Sequence, residues 1–392
     1  MKRVLLKFSI LVMAILGMGS MAMAPALANI SAAFKEASPE TIMQMMSLPA
    51  IMMVVTTLIF GKMAEFLSRR ALFFLGMALF LVGGVVPYFL NDLTTILIMR
   101  AVFGASFGIL VPLATVLISD WFEGNERDSL LGLQSVFVSV GGMIWSTLGG
   151  LLCVADWHNT FLAYLLGIVV VVLFIFFVPE PPKKSGAVQG NKAIKEPLGA
   201  KVYFVEGVLG AFNILVMVFF TNIAIQIVGE NLGNAASAGF ALTIFTIGGL
   251  LAGLVFGKTI LVLKSATMPV GWIIMGIGVA IMAITHDLNL ILVGCFISGL
   301  GFATAGPACY VLICSNAPPS RIDFSIALSF ATTGVGQFVS PVIFGFINSQ
   351  MGHVPGRFPI LVSSIAFVII GVLLLLQREW FAPPKAIAAV SE

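Results

Sequence analysis

The chain has 392 residues, 59% of them hydrophobic and only 9% charged, with a formal net charge of +3. A soluble domain carries about 25% charged residues, so a chain this apolar must bury its surface in lipid, which excludes a soluble globular protein. The small net charge says little about a nucleic-acid partner, and none is expected, because the basic residues are sorted by membrane side instead.

A membrane-spanning helix needs about 20 apolar residues, because the hydrocarbon core is about 30 Å thick. Backbone groups in lipid must be satisfied internally, so long apolar runs are helices. In chain order the sequence predicts helices near 5–29, 41–66, 71–90, 93–119, 129–153 and 159–178. A second set follows near 202–228, 236–260, 267–285, 288–314, 323–348 and 357–377. Met1-Lys2-Arg3 and Ala22-Met23-Ala24 outline a secretory signal, but the apolar run reaches Ile30. That exceeds the roughly 7–15-residue core of a signal peptide, so the segment is read as helix one.

Between the sets lies the longest polar stretch, opening with Pro179-Glu180-Pro181-Pro182-Lys183-Lys184. It is read as a cytoplasmic linker over 179–200, joining a bundle at 1–178 to a bundle at 201–392 with a short tail. A duplication supports the division. Phe60-Gly61-Lys62 recurs as Phe256-Gly257-Lys258, half the chain length later. The fold class is therefore an all-α membrane protein of twelve helices in two pseudo-symmetric six-helix bundles.

Orientation follows from charge. Of the 20 Lys and Arg residues, all but Lys35, Arg100 and Arg357 fall on one side, which the positive-inside rule makes cytoplasmic. Both termini are expected there. His158, His286 and His353 are expected in outer loops. The four cysteines form no CxxC or Cys/His cluster, so no metal site or disulfide framework is indicated.

The loop after helix two reads Gly61-Lys62-Met63-Ala64-Glu65-Phe66-Leu67-Ser68-Arg69-Arg70. It is expected to hold a tight turn at Gly61. Helix four carries Arg100 followed by Gly104 and Gly108. These two stretches resemble the signature motifs of the major facilitator superfamily, in its drug-efflux-like branch of twelve-helix transporters. The family usually has Asp at the position of Glu65 and Gly at that of Ser68. In the family, the loop charges bond to the end of helix four, which here is Asp120, with Arg127 beyond it. The resemblance therefore implies a cytoplasmic gate of Gly61, Glu65, Arg69, Arg70, Asp120 and Arg127.

Helix five departs from the family's antiporter motif. The outer frame of Gly132, Gly141, Gly149 and Gly150 is present, but the central Gly-Pro is replaced by Trp145-Ser146. An aromatic at a close-packing position must change how that helix packs. Gly104-x3-Gly108 and Gly249-x3-Gly253-x3-Gly257 each align glycines on one helical face, as close helix packing requires.

Intramembrane polar residues mark candidate substrate or coupling positions. Arg100 stands about 10 Å into helix four at about 1.5 Å per residue. It is expected either to face a central cavity as an anion or proton-tuning group, or to snorkel to headgroups. Glu206 is read either as a cytoplasmic-edge carboxylate or as a protonatable coupling group. Thr333, Gln337 and Ser340 form one stripe on helix eleven. Asn213 and Asn222 fall on opposite faces of helix seven. Gln134 and Tyr310 are further candidates.

The leading functional reading is secondary transport of a small amphipathic or organic molecule by alternating access, with proton-coupled efflux as one form. The alternative is a facilitator or proton symporter for a small organic anion, with Arg100 as the anion site. No nucleotide-binding loop, catalytic triad or metalloprotease motif is present, so neither an enzyme nor a cofactor is expected. The expected partners are a small-molecule substrate, the lipid bilayer and protons. A monomer in a bacterial plasma membrane is the expected setting.

Overall fold

The computed structural model describes residues 2–180 and 197–378, and every regular element among them is helical. Most of the expected 179–200 linker, residues 181–196, lies outside the described residues.

Eleven continuous helical stretches are long and apolar enough to cross a membrane. One of them, Ala235–Ile284, has 50 residues. That is about 75 Å of helix, more than twice the hydrocarbon core. It comprises two helices joined by a 3₁₀ turn at Lys264–Ala266, with Lys264 at φ 49°. The membrane helices are α1 (Arg3–Ala33), α2 (Pro39–Phe66), α3 (Arg69–Phe89), α4 (Leu93–Trp121), α5 (Gly124–Cys153) and α6 (Trp157–Phe177). They continue as α7 (Ala200–Gly229), α8 (Ala235–Leu263), α9 (Thr267–Ile284), α10 (Leu288–Asn316), α11 (Ile322–Met351) and α12 (Arg357–Leu376). The twelve-helix reading is borne out. Side-chain caps set several starts: Ser38, Ser68, Asp92 and Asp287 each accept a backbone N–H two or three residues ahead.

The chain contacts define two compact units, Met1–Gly186 with Ile223–Thr243, and Ala187–Asn222 with Ile244–Glu392. In the first unit, α1 is not a regular α-helix. Residues Leu16–Ala22 and Ala24–Ala26 are wound as 3₁₀ helix. Pro25 contributes to this, because it removes a backbone N–H.

The helix-five motif packs against that distorted stretch. Gly141, Trp145 and Gly149 are four residues apart and share one face of α5. A Cβ on Gly141 would collide with the backbone of Ile15, and one on Gly149 with the backbone of Ala22. Between them the Trp145 indole donates to the Ile15 carbonyl at 2.7 Å, where the α-helical geometry ends. Trp145 is fully buried, its ring about 6 Å from those of Phe80 and Tyr164. The replacement of Gly-Pro by Trp-Ser thus fills a site with a ring and a donor. The neighbouring face of α5 meets residues of the 223–243 segment. Gly150 packs on Ala235 and Gly239, and Ser146 and Thr147 lie 3.0 and 2.8 Å from the Thr243 hydroxyl.

Two glycine expectations need correction. Gly61 is not a turn: it lies inside α2, and the chain reverses at Leu67 and Ser68. Its repeat partner Gly257 is likewise inside α8. Gly253 and Gly257 have no neighbouring atom within 4 Å of an added Cβ, so that stripe is not close packing here, and Gly132 is equally open. Gly104 and Gly108 do pack closely, against Pro49 and Met53 of α2.

Trp145→Phe keeps a ring and removes the indole donor. Helix–helix hydrogen bonds in membranes contribute about 0.6–1.7 kcal/mol, so a modest fall in melting temperature is expected. Trp145→Gly should cost about 3–5 kcal/mol through the cavity left behind. Thermal denaturation in detergent measures both, and a Trp145→Phe melt at the wild-type temperature would show that the indole bond contributes nothing.

Candidate functional site

Arg100 sits in the interior of the first unit, 0% exposed. Its Nε donates to the Met45 carbonyl at 2.8 Å, and one Nη donates to the Tyr164 hydroxyl at 3.1 Å. The Met45 acceptor exists because residue 49 is proline. In a regular helix the Met45 carbonyl would receive the N–H four residues on, and Pro49 has none. The guanidinium also lies 4.4 Å from the Phe103 ring centroid. Its Nη2 is buried with no hydrogen-bond partner. Arg100 therefore has protein partners on two other helices, α2 and α6, and does not reach for headgroups.

The Gly61–Arg70 stretch has one clear ion pair. Arg69 Nε donates to Asp120 Oδ2 at 3.0 Å, joining the start of α3 to the end of α4. Both side chains are largely buried. Glu65 is exposed and makes no ion pair among the described residues. Arg127 is exposed in the first turn of α5. Arg70 diverges from Arg69 and donates to the Ile175 carbonyl of α6 at 3.4 Å. Ser68, which stands in place of the family's Gly, caps α3 by accepting from the Ala71 N–H.

The second unit brings the polar stripe of α11 against α7. Gly336 lets the helices approach, since a Cβ there would meet the Gly210 carbonyl at 2.8 Å. Asn213 then donates to Thr333 at 3.4 Å and accepts from Gln337 at 3.2 Å. Ser340 donates to the Ile214 carbonyl at 2.6 Å. Glu206 is 4% exposed and accepts from Ser329 at 2.6 Å, with Thr332 close by. Tyr310 is half-buried beside Thr333. Among the described residues no ion pair to Glu206 is formed. Asn222, on the opposite face of α7, is committed to structure, accepting from the Gly356 N–H at 2.9 Å. Gln134 belongs to the first unit, where it pairs with Thr115 of α4 at 3.1 Å.

Residues 9–225 and 207–390 match the model of the Major Facilitator Superfamily, which together cover nearly the whole chain. The chain belongs to the major facilitator superfamily. This superfamily member is an integral, multi-pass membrane protein, and the resemblance read from its 61–70 and 100–108 stretches is borne out.

Curated relatives include the riboflavin transporter RibZ of Clostridioides difficile (strain 630), 29% identical over 136 residues, 34% of this chain and 30% of RibZ. The multidrug transporter protein MdtP of Bacillus subtilis (strain 168) is 28% identical over 32% of this chain and 24% of its own. The chain spans less than a third of the length of these two relatives. The quinolone resistance protein NorA of Staphylococcus aureus (strain MRSA252) matches more fully, at 22% identity over 79% of this chain and 81% of NorA. Among solved structures, a bacterial homologue of the human lysosomal transporter Spinster, inward-facing and unoccupied, has a TM-score of 0.78 at 16% identity, covering 97% of both chains. A D-xylose–proton symporter has a TM-score of 0.73 at 16% identity, over 94% of this chain and 97% of its own. At such identities the likeness is one of fold.

Sequence reasoning missed two partners in this superfamily member. Tyr164 holds Arg100, and the signal was weak: one of four tyrosines, set in a strongly apolar helix. Glu180 had been read as part of the linker. Its two oxygens accept the Arg69 and Arg70 backbone N–H groups at 2.8 and 3.1 Å. A carboxylate complements the N-terminal end of a helix dipole, but nothing local in the sequence links position 180 to position 69.

Two outcomes follow from these geometries. Arg100→Lys retains the charge but cannot hold Met45 and Tyr164 from one planar group. It should lower the melting temperature and reduce flux in proteoliposomes; unchanged values in both would show that the fork is not used. Asp120→Asn removes the charge from a bond type that contributes about 1.5–3 kcal/mol. About a tenfold loss of flux with normal membrane insertion is expected, and wild-type flux would reject the Arg69–Asp120 pair as a functional latch.

Proposed function

We propose that this protein is a secondary transporter that moves a small amphipathic or organic molecule by alternating access of two six-helix halves. The observation that carries the reading is the α7–α11 network: a buried carboxylate without a cation, Glu206, beside Asn213, Thr333 and Gln337. An ionisable group inside a membrane bundle is costly, and it marks a substrate or proton path by default. Arg100, with one buried donor free, is the second candidate contact, suited to an anionic or acceptor-rich substrate. Ser340, Tyr310 and Gln134 complete the candidate set. The Arg69–Asp120 pair acts as the gate at the face carrying most of the Lys and Arg residues, with Glu65, Arg70 and Arg127 as the further gate residues. The relatives' names, riboflavin transporter and quinolone resistance protein, support an organic substrate. Both termini lie at the cytoplasmic face of a bacterial plasma membrane, and the working unit is a monomer.

The same reading makes Glu206 the proton-coupling group, with efflux by antiport as the first direction. Uptake of an organic anion by symport or facilitation is the second reading. One observation favours it: Trp145 and Ser146 occupy the place of the Gly-Pro typical of proton-coupled drug antiporters.

Glu206→Gln tests coupling while preserving shape. In proteoliposomes the variant should still exchange substrate down its own gradient, yet fail to concentrate it under an imposed pH gradient. A variant that accumulates substrate like wild type would remove Glu206 from the coupling path. Wild-type uptake driven by an inward proton gradient would reject antiport, and indifference to pH would reject proton coupling in either direction.

A further inference from the structure

A cavity of about 650 Å³ opens in the first unit. It lies where α1 and α3 begin and where α4 and α6 end. Successive membrane helices alternate in direction, so these four ends share one membrane face, at headgroup level. The cavity is lined by Arg3, Arg70, Trp121, Phe122, Phe176 and Phe177, among others.

Two donors on its lining residues are unsatisfied. Arg70 Nε and Trp121 Nε1 are both buried and have no hydrogen-bond partner. The other contact of the Arg70 guanidinium, to the Ile175 carbonyl, is long at 3.4 Å. Buried donors of this kind call for an acceptor, and a guanidinium beside an indole N–H suits an oxyanion with several oxygens. Arg3 adds a third donor group at the rim, 69% exposed.

The nearby carboxylates do not fill the site. Glu126 is held by Arg3 and Lys7 at 2.6 Å each, Glu180 by the Arg69 and Arg70 backbone, and Asp120 by Arg69. Within these contacts, Arg3, Lys7, Arg69 and Arg70 against Asp120, Glu126 and Glu180 leave one positive charge, which suits the single negative charge of a phosphodiester. The walls are aromatic, and Phe176 and Ile175, 74% and 45% exposed, continue along α6 away from the donors. A soluble anion has no use for such a wall, whereas an acyl chain does. Tryptophan and arginine at a helix end are interface residues, and basic pockets between membrane helices recognise lipid headgroups. Pockets of about 300–1,000 Å³ hold ligands of drug size, which includes a headgroup with its glycerol.

We propose that this groove binds an anionic glycerophospholipid, with its phosphate on Arg70 and Trp121 and an acyl chain along the Phe176 face of α6. Neither the gate pair nor the transport reading is needed for it.

The test uses the purified, delipidated full chain in detergent. Dioleoyl phosphatidylglycerol, dioleoyl phosphatidylcholine or inorganic phosphate is added, and retained lipid is read by native mass spectrometry alongside the melting temperature. Phosphatidylglycerol should be retained about tenfold better than phosphatidylcholine, equivalent to about 1.4 kcal/mol, and should raise the melting temperature. Trp121→Phe keeps the ring and loses only the donor, and Arg70→Gln loses the charge; each should lower retention of phosphatidylglycerol about tenfold. The proposal is overturned by equal retention of the two lipids, by wild-type retention in both variants, or by inorganic phosphate stabilising the protein as well as phosphatidylglycerol does. That last result would identify a free-anion site instead.

Discussion

Inside lipid a carbonyl without a helical partner has no water to turn to. Pro49 creates such a carbonyl at Met45, and the Arg100 side chain supplies the missing donor. The exchange settles two costs at once, because the arginine itself would be expensive in the bilayer without partners. It also fixes the pairing of α2 with α4: Gly104, one turn beyond Arg100, lies against Pro49, and Gly108 lies against Met53. The same guanidinium reaches Tyr164, which brings in α6. Three helices are registered by one planar group.

Tyr164 connects this centre to the departure in helix five. Its ring stands between those of Phe103 and Trp145, at centroid distances of 4.5 and 5.6 Å. Trp145 in turn holds the Ile15 carbonyl where α1 tightens into 3₁₀ winding. The carbonyl at the start of the 3₁₀ stretch thus receives a side-chain donor from another helix. Arg100 and Trp145 are thus two ends of one aromatic cluster, and a change at the helix-five motif acts on the surroundings of the intramembrane charge. Helix five presents a different face, with Ser146, Thr147 and Gly150, to the 223–243 segment.

The second unit uses polar side chains in another way. Arg357 at the start of α12 donates to the Ala283 and Thr285 carbonyls at the end of α9, a closing contact of structural kind. Among the described residues Glu206 has no such counter-charge and is met by the hydroxyl groups of Ser329 and Thr332. The contrast separates a half-buried arginine tied to backbone carbonyls from a buried carboxylate tied to hydroxyls. Close approach at Gly210 and Gly336 brings the amides of Asn213 and Gln337 together, so the polar stripe of α11 binds α7.

The number of helices, their boundaries to within a few residues and the membership of the superfamily were legible in the sequence. They depend on local quantities: the length of apolar runs, the cost of bare backbone in lipid, and a few Gly, Pro and Arg spacings. Thr333, Gln337 and Ser340 declared one face by their spacing, whereas the carbonyl that Pro49 frees at Met45 went unread. Which donor answers which acceptor depended on how distant helices are rotated and how closely they approach. Gly61 and Gly257 look like turns in isolation, yet the helices continue through them. Adjacent arginines, alike in sequence, separate in space, Arg69 to Asp120 and Arg70 to the α6 end, because successive residues on a helix point about 100° apart. Glu180 and Tyr164 gained their roles only when α6 came to lie beside α3 and α4. Local energetics wrote the helices into the sequence, while the long-range pairings that build the candidate sites exist only once those helices have packed.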